Sequence, residues 1–119
     1  MKYALLIYAS EQDWANQSEE ESQAQYQEYM SFTKDVVDRG IYKGGEALQP
    51  VATATTVRVR EGEQLTTDGP FAETKEQLGG FYLVEAKDLD EAIEIAARIP
   101  DVRRGSIEVR PVMEMDMPS

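Results

Sequence analysis

Side chains able to do chemistry are densest between positions 68 and 84 of this 119-residue chain, in the stretch DGPFAETKEQLGGFYLV. Asp68 precedes Gly69-Pro70, where a carboxylate suits a turn because it can accept hydrogen bonds from nearby backbone N–H groups. A carboxylate becomes a general acid or base near neutral pH only where burial or a like charge holds its proton more tightly. Asp68 is therefore the candidate catalytic residue, with the turn role as the alternative. The carboxylates that could supply the like charge are Glu46, Glu73 and Glu76.

Three basic side chains are candidate contacts for an anionic ligand. Lys75 is either part of an ion-paired loop or an anion contact, and Arg58 and Arg110 fall in segments that are predicted to be strands. On a sheet face the two arginines could pair with Glu108 across strands, at about 0.2–1 kcal/mol per pair. Alternatively, they could clamp a carboxylate or phosphate through two hydrogen bonds each. Together with Glu46 and Tyr82, these basic residues form the predicted ligand-binding set.

Several kinds of site are excluded by composition. The chain contains neither histidine nor cysteine, so a Ser-His-Asp or Cys-His mechanism, a histidine-rich zinc site and a disulfide framework are all impossible. Gly44-Gly45 and Gly79-Gly80 lack the spacing of the phosphate-binding loops, and the carboxylates lack the spacing of a calcium loop. We therefore predict no metal and no cofactor.

The net charge of −11 disfavours two classes of partner. Nucleic acids and anionic membranes are bound through clustered lysine and arginine, so we predict neither as a direct partner. No apolar run approaches the length of a transmembrane helix, and the apolar part of MKYALLIYA is too short for a signal peptide. The expected location is the cytoplasm.

The chain reads as alternating strands and helices. A buried strand is predicted at Met1–Ala9, and the S-x-x-E pattern at Ser18 is typical of a capping box that opens a helix ending at Gly40. A second helix is predicted between Asp88 and Pro100. The expected buried stripes are Tyr26, Tyr29, Met30, Thr33, Val36 and Val37 in the first helix, and Leu89, Ala92, Ile93, Ala96 and Ile99 in the second. Further strands are expected at 41–48 (irregular), 55–60, 64–67, 80–86 and 106–113.

Two helices separated by antiparallel strands are typical of an α+β sheet with both helices on one face, the plan of a ferredoxin-like βαββαβ fold with an extra hairpin. The other face must then meet solvent or another subunit, and its mixed apolar and charged residues favour a homodimer. We expect a single domain at residues 1–113 and a loose tail at 114–119.

The segment around Asp68 resembles the DGPF motif of the YCII-related family of small bacterial proteins. MKYALLIY at the start, GEALQPVATATTVRVREG in the middle and IEVRPVMEM near the end resemble family segments in the same order. The resemblance covers nearly the whole chain, and it implies ferredoxin-like domains that pair into a dimeric α/β barrel. Some relatives carry a histidine–aspartate pair proposed as catalytic, and that pair cannot be transferred to a chain without histidine.

Three functions remain open at this stage. The first is a non-catalytic dimer that senses a small polar or anionic molecule in an interface pocket. Because family relatives occur near or fused to alternative sigma factors, the resemblance also implies a protein partner in transcription regulation. The second is a lyase- or isomerase-like enzyme that uses Asp68 for proton transfer, which rests on analogy with other dimeric α/β barrels. The third is a structural dimer without a ligand.

Overall fold

The computed structural model describes residues 1–115, which form an α+β fold with antiparallel sheets. The strands are β1 (Lys2–Ala9), β2 (Tyr42–Ala47), β3 (Thr55–Arg60), β4 (Glu63–Asp68), β5 (Gln77–Glu85) and β6 (Ser106–Pro111). The helices are α1 (Glu11–Ala15), α2 (Glu19–Asp38) and α3 (Leu89–Ala96). Short 3₁₀ turns lie at Val51–Thr53 and Pro100–Arg103.

The main sheet has four strands in the order β2-β5-β1-β6, and every neighbouring pair is antiparallel. This order is compatible with the predicted ferredoxin-like α+β fold. The two edge strands, β2 and β6, each follow a helix in the chain, and β1 and β5 form the centre of the sheet. Strands β3 and β4 pair only with each other and form a separate two-stranded sheet, the predicted extra hairpin.

Both helix starts that the sequence predicted are confirmed. The Ser18 side chain accepts from the backbone N–H of Glu21, and the Glu21 carboxylate accepts from the N–H of Ser18, which completes the capping box. Asp88 accepts from the N–H of Glu91 at the start of α3. These caps satisfy backbone donors that the first helical turn would otherwise leave unpaired.

The core lies between the helices and one face of the main sheet. Residues alternate along β1, so that Tyr3, Leu5, Ile7 and Ala9 are buried while the residues between them are partly exposed. The predicted helix stripes are confirmed in part, because Val36, Ala92, Ala96 and Ile99 are buried. The predicted positions that are wrong are at least 48% exposed: Tyr26, Met30, Val37, Leu89 and Ile93. The buried helix positions that the prediction omitted are Phe32 and Ile95.

The second face of the main sheet, which we call the open face, carries apolar side chains without a covering helix. Strand pairing places Ala4 beside Leu83 and Leu6 beside Phe81 on this face. All four are only partly buried. Glu108 and Arg110 flank them on β6, where their charged groups lie 2.5 Å apart.

The hairpin of β3 and β4, which we call the arm, projects from the body of the molecule. Val57 and Val59 are 59% and 61% exposed on one face of the arm, and Leu65 is 46% exposed on the other. The Cα radius of gyration is 16.5 Å, whereas a compact chain of this length has about 13–14 Å. Within residues 1–115 the two strands of the arm pair only with each other, and a lone two-stranded hairpin is at best marginally stable in water.

Element boundaries moved by a few residues from those predicted. Strand β5 begins at Gln77 instead of 80, and β6 ends at Pro111 instead of 113. Of the tail predicted at 114–119, residues 116–119 lie outside the described part of the chain. Within residues 1–115 no helix combines the length and apolar character needed to cross a membrane.

Candidate functional site

A cavity of about 410 Å³ lies between α2 and the helix-covered face of the main sheet. One face of α2 forms its wall, because five of its residues recur at intervals of three and four positions. They are Ser22, Gln25, Tyr26, Tyr29 and Thr33. The sheet side is formed by β2 and β5, with Tyr42, Tyr82 and the glycines at 45, 79 and 80. A volume of this size is typical of pockets that hold a small organic molecule.

Asp101 is the buried carboxylate at one end of this cavity, with 1% of its surface exposed. Its Oδ1 accepts from Trp14 Nε1 at 3.2 Å and from Gln25 Nε2 at 2.9 Å. The hydroxyl of Tyr29 donates to Oδ2. A carboxylate offers acceptors only, so three donors from two helices satisfy it without a basic partner. We call these four residues the Asp101 network.

Local sequence explains how the network is assembled. Pro100 starts the 3₁₀ turn that follows α3 and brings Asp101 beneath α2. Ser10 caps α1, which carries Trp14 over the sheet. The Trp14 ring then lies against Gly79, where an added Cβ would come within 2.5 Å of Trp14 Cη2. Glycine at position 79 is therefore required for the indole to reach Asp101.

Burial and the adjacent carboxylate change the acidity of Tyr29. Burial is the larger cause, and the hydrogen bond to Asp101 and its charge act in the same direction, so the pKa of Tyr29 is raised far above that of a free tyrosine. Its proton therefore stays on the hydroxyl and points at Asp101, which leaves the oxygen lone pairs of Tyr29 as acceptors.

Tyr82 forms a second polar point in the cavity. Burial raises the pKa of Tyr82, while its hydrogen bond with Thr33 acts in the opposite direction. The two hydroxyl oxygens are 2.7 Å apart, and either can be the donor. The Tyr82 ring packs edge-on against Phe32 and Tyr42, with centroid distances of 5.0 and 6.2 Å, so its hydroxyl is held in place.

The residues predicted for the site do not meet within one chain. Tyr82 lines the cavity, and Glu46 borders it on the edge strand β2. Arg110 lies on β6 at the open face, where it pairs with Glu108 of the same strand. Asp68 and Arg58 are on the arm, away from the cavity lining.

Lys75 lies on the segment between the arm and β5, beside a separate shallow depression. That depression is bordered by Glu11 and Gln77, which connect the segment to the rest of the chain. Glu11 accepts from the backbone N–H of Val51 at 3.0 Å, and its own N–H donates to Gln77 Oε1 at 3.0 Å. The roles predicted for Asp68, Lys75 and the two arginines stay predictions, because their convergence would need a second subunit.

The Asp101 network was missed by sequence reasoning. Asp101 stands in PDVRR, where an aspartate after a helix looks like an ordinary surface residue. One available signal was the stripe of α2, in which Gln25, Tyr29 and Thr33 add polar groups at helical spacing. Such groups on a partly buried stripe need hydrogen-bond partners, and the local pattern does not show which residue supplies them. Within residues 1–115 no three acidic side chains gather closely enough to hold a metal ion.

Comparison with known proteins places the chain in a family. The profile of the YCII-related domain matches residues 1–116, nearly the full length. An uncharacterised protein of Rhizobium meliloti (strain 1021) is 39% identical over 114 residues, which cover 94% of this chain and 92% of that protein. Identity at this level over almost the whole of both chains carries the fold as well as the sequence pattern. This chain belongs to the YCII-related family.

Proposed function

We propose that this protein is a homodimeric member of the DGPF subgroup that binds a small polar organic molecule in the Asp101 cavity, in a sensory or accessory role without catalysis. The observation that carries the proposal is the Asp101 network itself, because a buried carboxylate with three matched donors fixes the wall of an otherwise aromatic cavity. Ligand sites combine a mostly apolar lining with a few fixed polar groups in this way.

The dimer is supported by two apolar surfaces that one chain leaves uncovered. The open face presents Leu6, Phe81 and Leu83, and the arm exposes Val57 and Val59. Contiguous apolar patches of this kind mark interaction sites, and a second copy carries the same patch for a two-fold interface. Two open faces packed together would form the barrel that the family resemblance implies.

The dimer is tested with a matched pair of variants. Sedimentation equilibrium of the unmodified protein at micromolar concentration should give twice the chain mass of 13.4 kDa. Leu6→Asp places a charge on the open face and should yield monomers. Met30→Asp places the same charge on the outer side of α2, where the residue is 52% exposed, and should stay dimeric. A single-chain mass for the unmodified protein would refute the dimer.

Ligand binding is tested with Trp14, the only tryptophan, which lies in the cavity wall. A panel of small polar compounds should contain members that change Trp14 fluorescence and raise the unfolding temperature, because a ligand that binds only the folded state stabilises it. Failure of every compound in a broad panel to change either signal would count against a ligand-binding role.

An interface pocket for an anion is a second candidate site. Arg110 supports it, since strand register places this residue at the open face, with Glu46 on the same face at the opposite edge of the sheet. In a dimer they would border the space between the two sheets, and Arg58 and Lys75 could approach from the partner. Arg110→Gln should then weaken binding of an anionic ligand and leave binding in the Asp101 cavity unchanged.

A proton-transfer enzyme is the alternative to a binding protein. Asp68 could take part only if the arm reaches into the partner subunit, because it is exposed within its own chain. Asp68→Asn would abolish turnover in that case and would leave ligand binding in the Asp101 cavity intact.

A contact with a transcription regulator also stays a proposal, and pull-down with a purified sigma factor would test it directly.

A further inference from the structure

We infer that the Asp101 cavity selects organic cations, namely small amines carried as ammonium ions with an apolar body. The inference rests on the proposed ligand-binding function and names its ligand class. It departs from the anionic ligand that the basic residues of the sequence predicted, because the structure places those residues outside this cavity.

The charge of the lining is the first observation. Asp101 is the buried carboxylate in the wall. Within residues 1–115 neither lysine nor arginine contributes to the lining. Nearby Arg103 is engaged in an ion pair with Glu28 on the outer surface. An anion would therefore meet a buried like charge in the wall, whereas a cation would be attracted to it.

Aromatic rings provide the second observation. Five rings border the cavity from the helices and the helix-covered sheet face: Trp14, Tyr26, Tyr29, Tyr42 and Tyr82. The faces of such rings carry partial negative charge and attract cations, most strongly where water is excluded. Aromatic walls combined with one carboxylate are the chemistry that recognises an ammonium group with an apolar substituent.

Hydrogen-bond polarity is the third observation. The proton of Tyr29 is committed to Asp101, so its oxygen can only accept from a ligand. The Tyr82 and Thr33 hydroxyls share one hydrogen bond, so this pair offers a ligand one O–H donor as well as acceptor lone pairs. An ammonium group has donors and no acceptor, so it matches the accepting oxygen of Tyr29 and can also donate to the Tyr82–Thr33 pair.

Three probes of nearly equal shape test the charge preference on the full-length protein. Phenethylammonium, phenethyl alcohol and hydrocinnamate share an aromatic body and differ in being cationic, neutral and anionic. Their affinities are measured by Trp14 fluorescence and calorimetry at neutral pH. We expect the ammonium to bind about tenfold more tightly than the alcohol, and the carboxylate to bind more weakly still.

The outcomes separate this inference from the proposed function. If the alcohol or the carboxylate binds as tightly as the ammonium, the cation inference is wrong and the ligand-binding proposal stands. If none of the three binds at millimolar concentration, by either method, the cation inference is wrong, and the ligand-binding proposal is decided by the broad panel of polar compounds. Binding that calorimetry detects without any change in Trp14 fluorescence would place the probe elsewhere and also overturn the inference.

A pair of variants at the cavity mouth tests the aromatic contribution without disturbing the buried network. Tyr26 borders the cavity and is 62% exposed, so substitutions there should be tolerated by the fold. Tyr26→Leu removes the ring and should weaken phenethylammonium by about two- to fivefold, with little change for the alcohol. Tyr26→Phe keeps the ring and should bind like the unmodified protein. Equal losses for both probes in Tyr26→Leu would mean that the ring contributes only packing.

Discussion

Around Asp101 every donor has an acceptor from the same chain, whereas the arm leaves its valines more than half exposed. Within residues 1–115 no buried side-chain nitrogen or oxygen lacks a partner. The base of the arm is closed by hydrogen bonds within the hairpin, where Gly69 N–H donates to the Ala54 carbonyl at 2.7 Å and Thr56 donates to the Gly69 carbonyl. The polar groups around Asp101 are satisfied within one chain, whereas the apolar side chains of the arm can be buried only against another molecule.

This difference separates assembly from ligand binding, two roles that the sequence seemed to combine in the DGPF motif. DGPF begins at Asp68, the last residue of β4, and so lies at the base of the arm. Phe71 in this motif is 80% exposed. The lining of the candidate ligand cavity contains none of the four DGPF residues, and it is built from residues that are unremarkable in sequence. The motif therefore belongs with the surface that we assign to assembly, and the scattered polar residues belong with the site that we assign to binding.

The largest expected effect comes from removing the centre of the Asp101 network. Asp101→Leu should lower the free energy of unfolding by about 3 kcal/mol or more, because buried donors of Trp14, Gln25 and Tyr29 lose their acceptor. Asp68→Leu, the same change on the exposed arm, should leave it nearly unchanged. Urea unfolding measures both. Equal effects of the two variants would contradict the division between a complete region and an incomplete one.

A smaller effect is expected from crowding the same network. Gly79→Ala places a Cβ where it would lie 2.5 Å from the Trp14 ring, so the indole must move away from Asp101. Stability should fall by about 1–3 kcal/mol, as in overpacked cores. Trp14 fluorescence should shift toward that of a solvated indole. Gly62→Ala on the arm meets no atom within 4 Å, so it lacks this clash and should leave the fluorescence unchanged.

A charge on the apolar side of the arm tests whether the arm belongs to the dimer interface. Val59→Asp should raise the dissociation constant of the proposed dimer about tenfold or more, since a buried unpaired charge is costly at an interface. Glu61→Lys at the tip of the arm changes a charge at an exposed turn and serves as the control. Sedimentation over a range of concentrations gives both dissociation constants. An unchanged dimer in Val59→Asp would show that the arm lies outside the interface.

Much of the fold could be predicted from the sequence, because local rules decide it. The capping box at Ser18 and the alternation in β1 depend on neighbours within a few positions. Which side of α2 meets the sheet depends on distant contacts, and the predicted stripe therefore included exposed Met30 and omitted buried Phe32. Gly69, with φ of 102°, explains why DGPF stands out: the turn requires glycine there.

The candidate site was harder to predict for a physical reason. Asp101 meets Trp14 and Gln25 across 87 and 76 positions of sequence, and neither spacing leaves a local pattern. In the sequence, an aspartate that is buried and fully hydrogen-bonded cannot be told from an aspartate on the surface. The sequence predicts the basic residues Arg58, Lys75 and Arg110 as anion contacts, and only the three-dimensional structure shows that they lie apart from the cavity.

The smallest expected effect concerns the proton of Tyr29. Tyr29→Phe removes one of the three donors to Asp101 and should cost about 1 kcal/mol at neutral pH, because Trp14 and Gln25 still hold the carboxylate. The pKa of Tyr29 is raised in the folded protein, so the stabilising contribution is complete below the unfolded pKa of about 10. Above that pH the unfolded chain loses the proton first, and the contribution declines.

The difference in stability between the unmodified protein and Tyr29→Phe should therefore shrink by up to about 1 kcal/mol between pH 9 and pH 11. Comparing the two proteins cancels the titration of Tyr82 and of the lysines, which they share. Urea unfolding across this range measures the difference. A gap that stays constant for Tyr29→Phe would mean that Tyr29 titrates alike in both states, so that the network does not hold its proton.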